Sequence, residues 1–326
     1  MYHQSKITIV FLCFFMANLC VFAEESLKKT PIISFPKAEI LSEHTTRIPF
    51  KLVDHLIVIE AELLDQKGNF IIDTGSETLI LNANHFKGNT SLFGSERKTT
   101  GVIDIIDNPV EKHLKEFIIK DLLIEKKTSD LIDLSHIEVS KKIHLLGIIG
   151  YNILKDYEIF IDMYLNQITL SRVDKYGEKL DNSVYLEKVI DTIAFELKKH
   201  TIVLNAEING EDLKFGLDSA AEYNQLNKRN KKKVLKYFYP SQRVLLSGAS
   251  GKKLEVLAGK LFRVKLSDNI YCAPMETMLT NLNQMNEAMS MGLDGVIGYE
   301  FLKQHRTIIN YKKEKLYFIK YPIRTH

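Results

Sequence analysis

His55-Leu56-Ile57-Val58-Ile59-Glu60-Ala61-Glu62 reads almost the same as His200-Thr201-Ile202-Val203-Leu204-Asn205-Ala206-Glu207. Five of the eight positions are identical, at an offset of 145 (200 − 55). Carried forward without a gap, that offset sets Asp73 on Asp218. Farther on, Gly147-Ile148-Ile149-Gly150-Tyr151-Asn152-Ile153-Leu154 matches Gly295-Val296-Ile297-Gly298-Tyr299-Glu300-Phe301-Leu302 at an offset of 148 (295 − 147). Asp162 meets Asn310 at the same offset. One such match arises by chance. Three in order at nearly one spacing mark a duplication, with about three residues gained in the intervening loops.

Each copy reads as mainly β. Ile57 to Leu63 alternates and is rich in β-branched residues, and Lys67-Gly68-Asn69 is expected to turn the chain into Phe70-Ile71-Ile72. The second copy has Asn209-Gly210 at its turn, a pair that tolerates the positive φ of a tight hairpin. Phe117-Ile118-Ile119 and Leu122-Leu123-Ile124 are expected strands of copy one, and Phe262-Arg263-Val264-Lys265-Leu266 of copy two. The Gly-Tyr-x-x-Leu segments predict a short helix after a buried strand, and Tyr157 to Leu170 and Thr307 to Ile319 predict closing hairpins. The charged stretch Asp174 to Asn182 connects the copies, which places the halves at 46–175 and 176–326 of an all-β chain.

The N-terminus is of another character. Lys6 precedes an apolar run from Ile7 to Phe22, and Val21-Phe22-Ala23 then meets Glu24. That order predicts a cleaved export signal over 1–23, with an extended leader over 24–45 that carries Pro31 and Pro36. The alternatives are an uncleaved membrane anchor, for which the run is short, and a lipoprotein at Cys20, for which Leu19 is a poor preceding residue. After cleavage no stable membrane span is expected, and Cys272 is the one cysteine left. A single thiol permits no internal disulfide, and with no motif around it Cys272 reads as a small buried apolar residue. The net charge of +3 over 326 residues argues against nucleic acid as a partner. The basic run Lys228 to Lys233 reads as a solvated helix face.

In Phe70-Ile71-Ile72-Asp73-Thr74-Gly75-Ser76 a buried strand ends in an acid, a hydroxyl, a glycine and another hydroxyl. Gly75 is expected to allow the tight turn that presents Asp73, with Thr74 and Ser76 satisfying nearby backbone and carboxylate groups. Together with Gly147-Ile148-Ile149-Gly150 and the duplication, this resembles the pepsin and retropepsin superfamily, particularly its bacterial periplasmic aspartyl proteases. The resemblance covers most of the chain after the signal. It implies a two-lobed acid-protease fold of homologous β-barrel-like lobes, with one aspartate from each lobe meeting in a cleft. The catalytic pair would be Asp73 and Asp218, hydrolysing a peptide or protein substrate without metal or organic cofactor. A monomer, periplasmic or secreted, is expected. Two adjacent carboxylates share a proton, so one acts as base toward water and the other as acid toward the scissile carbonyl.

The second copy departs from the pattern: Phe215-Gly216-Leu217-Asp218-Ser219-Ala220-Ala221 puts Ala220 where the family has glycine and Ala221 where copy one has Ser76. A side chain at Ala220 is expected to strain the turn, and the loss of the outer hydroxyl to leave Asp218 less well hydrogen-bonded than Asp73. Asp73 is then the ionised member and Asp218 the protonated one. Flexible cover over the cleft is expected at Thr99-Thr100-Gly101-Val102-Ile103 and at Ser247-Gly248-Ala249-Ser250-Gly251. His55, His200 and Asp162 read as structural. The competing reading is a peptide-binding pseudoprotease that keeps the cleft without turnover. A first lobe paired with that of another chain is a third arrangement, which the complete second lobe argues against.

Overall fold

The computed structural model describes residues 39–63, 65–86, 92–94, 98–100, 105–107, 110–119, 122–182, 188–247 and 253–321. The expected signal, most of the leader, and Gly101, Gly248 and Gly251 lie outside the described residues.

The repeated segments become equivalent strands. Leu56–Leu63 and Thr201–Ile208 each bury their first four residues and then alternate. Each pairs antiparallel with the strand that runs into an aspartate, Gln66–Ile72 or Glu211–Leu217. That strand in turn pairs parallel with the glycine segment, Leu145–Ile149 or Gly295–Ile297. The two eight-stranded sheets share one strand order. From one edge the first reads Lys51–Val53, Leu56–Leu63, Gln66–Ile72, Leu145–Ile149, Leu79–Asn82, Leu122–Ile132, Val110–Ile119, Leu92–Gly94. The second reads Glu196–Lys198, Thr201–Ile208, Glu211–Leu217, Gly295–Ile297, Asn224–Asn227, Met275–Thr280, Lys253–Leu261, Phe238–Ser247.

The expected barrel-like closure does not occur. The outermost strands of each sheet stay at opposite edges, and among the described residues the one added pairing is that of Ile118 with Glu62 in the first. The chain is mostly β, and the short helices Tyr151–Leu154 and Tyr299–Leu302 follow the glycine segments as expected. Among the described residues, no helix is long and apolar enough to cross a membrane.

A third sheet of seven strands draws on both halves. Glu39–Ser42, Thr45–Pro49, Gln167–Arg172 and Tyr157–Asp162 continue into Arg306–Asn310, Lys315–Ile319 and Val189–Ala194. Its central pair joins equivalent strands antiparallel, with Glu158 opposite Asn310. Antiparallel pairing of equivalents is what an approximate twofold axis produces, and the side chains follow it. Arg306 Nη2 donates to Asp162 Oδ2 at 2.5 Å, and Asn310 Nδ2 donates to Glu158 Oε2 at 3.0 Å. Asp162 is therefore structural, as expected, and its fully buried charge is matched by Arg306 rather than by its equivalent Asn310. Removing one member of such a pair costs about 3–5 kcal/mol. One continuous core, with Ile57, Phe70, Leu204, Phe215, Ile309 and Phe318, runs through both halves. Each such side chain contributes about 1.5–3 kcal/mol on burial.

Several local expectations need correction. The turn of the first hairpin lies at Asp65 (φ 62°), with Leu63 opposite Gln66, and Lys67-Gly68-Asn69 belong to the strand. Gly68 is small because a Cβ there would lie 2.7 Å from the Leu146 side chain. Phe262–Leu266 is not a strand: Arg263 takes a φ of 60°, and only isolated bridges at Lys265 remain. The leader does not stay apart, since Glu39–Ser42 pairs with Thr45–Pro49 and extends the shared sheet. The basic run forms only the one-turn helix Lys232–Leu235, with Lys231 and Lys233 both on Glu211. Asn209-Gly210 forms the expected tight hairpin, with φ of 55° and 72°. Cys272 is buried, and burial pushes its thiol up to about 12.

Candidate active site

The ends of strands Gln66–Ile72 and Glu211–Leu217 meet, and they bring Asp73 and Asp218 together. Each aspartate N–H donates to the carbonyl before its glycine turn: Asp73 to Ile149 at 3.0 Å, and Asp218 to Ile297 at 2.9 Å. The next residue then passes close beneath the acid turn, with Tyr151 N–H on Ser76 O at 2.9 Å and Tyr299 N–H on Ala221 O at 3.0 Å. A Cβ at Gly150 would lie 2.3 Å from Thr78 O, and one at Gly298 2.3 Å from Ala221 O. Those contacts explain the repeated glycine segment.

Thr74 and Ser219 lock the two turns to each other. Thr74 N–H donates to Ser219 Oγ at 3.0 Å, and Ser219 N–H donates to Thr74 Oγ1 at 2.9 Å. The hydroxyls then donate onward across the axis, Thr74 Oγ1 to Leu217 O at 3.2 Å and Ser219 Oγ to Ile72 O at 2.8 Å. Both side chains are fully buried. Thr74 therefore serves the partner strand rather than its own carboxylate. The conservative Thr-to-Ser change between the copies keeps every bond of this network.

The two carboxyls lie close enough to act on each other. Asp73 Oδ1 accepts two backbone N–H groups, Gly75 at 2.7 Å and Ser76 at 3.0 Å. Asp218 Oδ1 accepts the Ala220 N–H at 2.8 Å. The Ala221 N–H donates to the Asp218 carbonyl at 3.1 Å and adds only the smallest share to holding the carboxylate. Both aspartates keep some exposure, yet protein crowds the Asp218 carboxyl densely. Desolvation first, and then the charge and hydrogen bond of Asp73, push Asp218 well above the usual carboxylate range.

Gly75 has a role other than the expected one. Its φ is not positive, and neither is that of Ala220, so the alanine does not strain its turn. A Cβ on Gly75 would instead lie 2.7 Å from Asp218 Cγ. The glycine makes room for the opposing acid. Ser76 contributes its N–H to Asp73, and that donation is the part of the outer residue that Ala221 supplies only weakly.

Other residues at the site carry no motif. Tyr311 is buried near both acids, and its hydroxyl has no hydrogen-bond partner among the described residues. Burial, then the charges of Asp73, raise its phenol. His200 packs under the first turn, near Gly75 and 3.8 Å from Glu77, and burial lowers it. His55 stacks on Tyr299 at 4.3 Å between centroids. Lys141 bridges Glu222, beside the Asp218 turn, at 2.6 Å and Asp54 at 3.5 Å. The matched pair His55 and His200 and the matched Tyr299 were the signals in the sequence that touched this ring of contacts. At the position of the first expected flap, Lys98–Thr100 and Ile105–Asp107 pair as a hairpin, and Lys98–Thr100 approaches helix Asn283–Met289 of the second half. Strands Phe238–Ser247 and Lys253–Leu261 flank the second.

No family model matches this chain, and no curated protein matches it either.

Proposed function

We propose that this chain is an exported aspartic endopeptidase with a two-lobed acid-protease fold, its lobes at 46–175 and 176–326. The observation that carries the reading is the close approach of the Asp73 and Asp218 turns, tied by Thr74 and Ser219, with the Asp218 carboxyl set against Gly75 beside Asp73. The raised Asp218 is the protonated member, and Asp73, with two backbone donors, is the carboxylate. A water between them loses a proton to Asp73 while its oxygen bonds to the scissile carbonyl carbon. Asp218 gives its proton to the carbonyl oxygen, which yields a neutral tetrahedral diol. Collapse breaks the C–N bond as Asp73 passes its proton to the departing nitrogen and Asp218 recovers one from a hydroxyl. Acid and amine products leave with every proton accounted for.

Lys98–Thr100 and Ile105–Asp107 pair antiparallel where the resemblance would set a cover, and the substrate in this reading is a peptide or an unfolded protein segment. Signal removal after Ala23 would release a monomer into the periplasm or the medium. The test is digestion of an unfolded protein by the chain from Glu24 onward, read by mass spectrometry. New peptide ends that vanish in both Asp73→Asn and Asp218→Asn support the reading, and equal cleavage by Asp218→Asn and the wild type overturns it. A peptide-binding pseudoprotease is favoured only by Ala220 and Ala221. Saturable peptide binding without cleavage would establish it.

A further inference from the structure

The first half carries a cluster that the aspartate pair does not use. His85 stands on the short helix Ala83–Phe86, Glu138 on helix Ser135–Lys141, and His144 just before strand Leu145–Ile149. His85 Nε2 lies 3.0 and 3.2 Å from the two Glu138 oxygens, and His144 Nδ1 lies 3.2 Å from Oε1. One atom from each residue fits within 4.8 Å of the others. Tetrahedral zinc, with bonds of about 2.0–2.2 Å, holds its ligand atoms about 3.3 Å apart. Two imidazoles and a carboxylate suit zinc, whereas calcium and magnesium favour all-oxygen shells.

The carboxylate is already oriented by other groups. Asn82 Nδ2 donates to Glu138 Oε2 at 3.2 Å, and Leu145 N–H donates to Oε1 at 3.1 Å. Such outer partners position a metal ligand before the ion arrives. The side chains of His85 and Glu138 are 21% and 19% exposed and that of His144 52%, which leaves an entry path and room for water.

The second half shows that the fold does not require these residue types. At the equivalent positions stand Asn230, Asn286 and Gly292. There Asn286 alone accepts the Leu293 N–H at 2.9 Å and donates to Leu293 O at 3.0 Å. An amide is enough to anchor the strand, so the acid and two imidazoles of the first half exceed the structural need.

We propose that His85, Glu138 and His144 bind one zinc ion, with water completing the tetrahedron. The ion ties two helices to strand Leu145–Ile149, which lies beside the strand that presents Asp73. The site stands apart from the proposed hydrolysis and stiffens the sheet behind it.

The test uses the chain from Glu24 onward with Asp73→Asn, so that zinc at the paired acids is not mistaken for this site. Protein stripped with a chelator is titrated with zinc chloride by calorimetry and melted with and without the metal. One zinc per chain and a Tm higher by about 2 °C or more are expected. Glu138→Gln keeps an oxygen for Leu145 N–H, as Asn286 does for Leu293, and should fold while losing at least about tenfold in zinc affinity. His144→Asn, at a half-exposed position, should lose as much. Absence of saturable binding, or binding by both variants as tight as the parent's, overturns the proposal.

Discussion

The turns at Asp73-Thr74-Gly75-Ser76 and Asp218-Ser219-Ala220-Ala221 descend from one pattern and have kept different parts of it. The buried hydroxyl at the second position survives in both, because it bonds the other half, and its loss would leave polar groups stranded. The glycine survives only in the first turn, where a Cβ would strike the opposing carboxyl. The outer hydroxyl is lost in the second turn, where the Ala221 N–H mainly serves a backbone carbonyl. Groups that hold the halves together are kept strictly, and groups that tune one carboxylate are free to diverge. Burial and the facing Asp73, more than the lost outer hydroxyl, set Asp218 apart from an ordinary carboxylate.

The largest effect that would break the comparison is removal of either acid. Asp73→Asn and Asp218→Asn should each lower kcat by about 10²–10⁴-fold. A large loss in the first with none in the second would mark Asp218 as a relic.

Next comes the space between the turns. Gly75→Ala forces a Cβ to 2.7 Å from Asp218 Cγ and should cut turnover by about a hundredfold with little change in Tm. Ala220→Gly should leave turnover unchanged, since Ala220 does not have a positive φ. A gain in Ala220→Gly that mirrors the loss in Gly75→Ala would mean that backbone freedom, not room for the carboxyl, is what the glycine provides.

Thr74→Ala and Ser219→Ala should each cost about 1–3 kcal/mol in denaturant unfolding, since each strands a buried N–H and a buried carbonyl. Each hydroxyl bonds backbone groups that alanine leaves in place, and the two side chains share no bond, so the double variant should lose about the sum of the single losses. A loss well below that sum would show that the two turns relax as one unit.

The smallest effects concern pH. His305, at the position of Tyr157 in the first half, is packed between Phe301 and Phe318, and burial lowers it to about 4. Burial lowers His200 too. The unfolded chain therefore binds protons that these residues refuse, and stability should fall as pH drops from about 6.5 towards 4. Asp218 has the opposite sign. Its native form holds a proton that the unfolded chain releases above 3.8, so it removes stability as pH rises from there through its raised value. His305→Phe should flatten the acid limb of a Tm-against-pH curve, and Asp218→Asn should raise Tm at neutral pH. Activity should fall as pH rises through the raised value of Asp218, because the proton donor is then lost. An acid limb unchanged by His305→Phe would remove that residue from the account.

The sequence by itself determined the duplication, the β character of each copy, the hairpin at Asn209-Gly210 and the identity of both acids. These rest on periodicity, turn chemistry and self-comparison, which are local or register-preserving properties of a chain. Its errors were local as well. Lys67-Gly68-Asn69 looked like a turn because glycine commonly marks one, whereas Gly68 answers to Leu146, a contact nearly eighty residues away in sequence. Only the tertiary structure decided that Gly75 makes room for Asp218, that Thr74 serves the partner strand, and that Asp162 answers Arg306. It alone brought His85, Glu138 and His144 to one point. Each of those facts is a contact across the approximate twofold axis or between distant segments, and such contacts exist only once two surfaces meet.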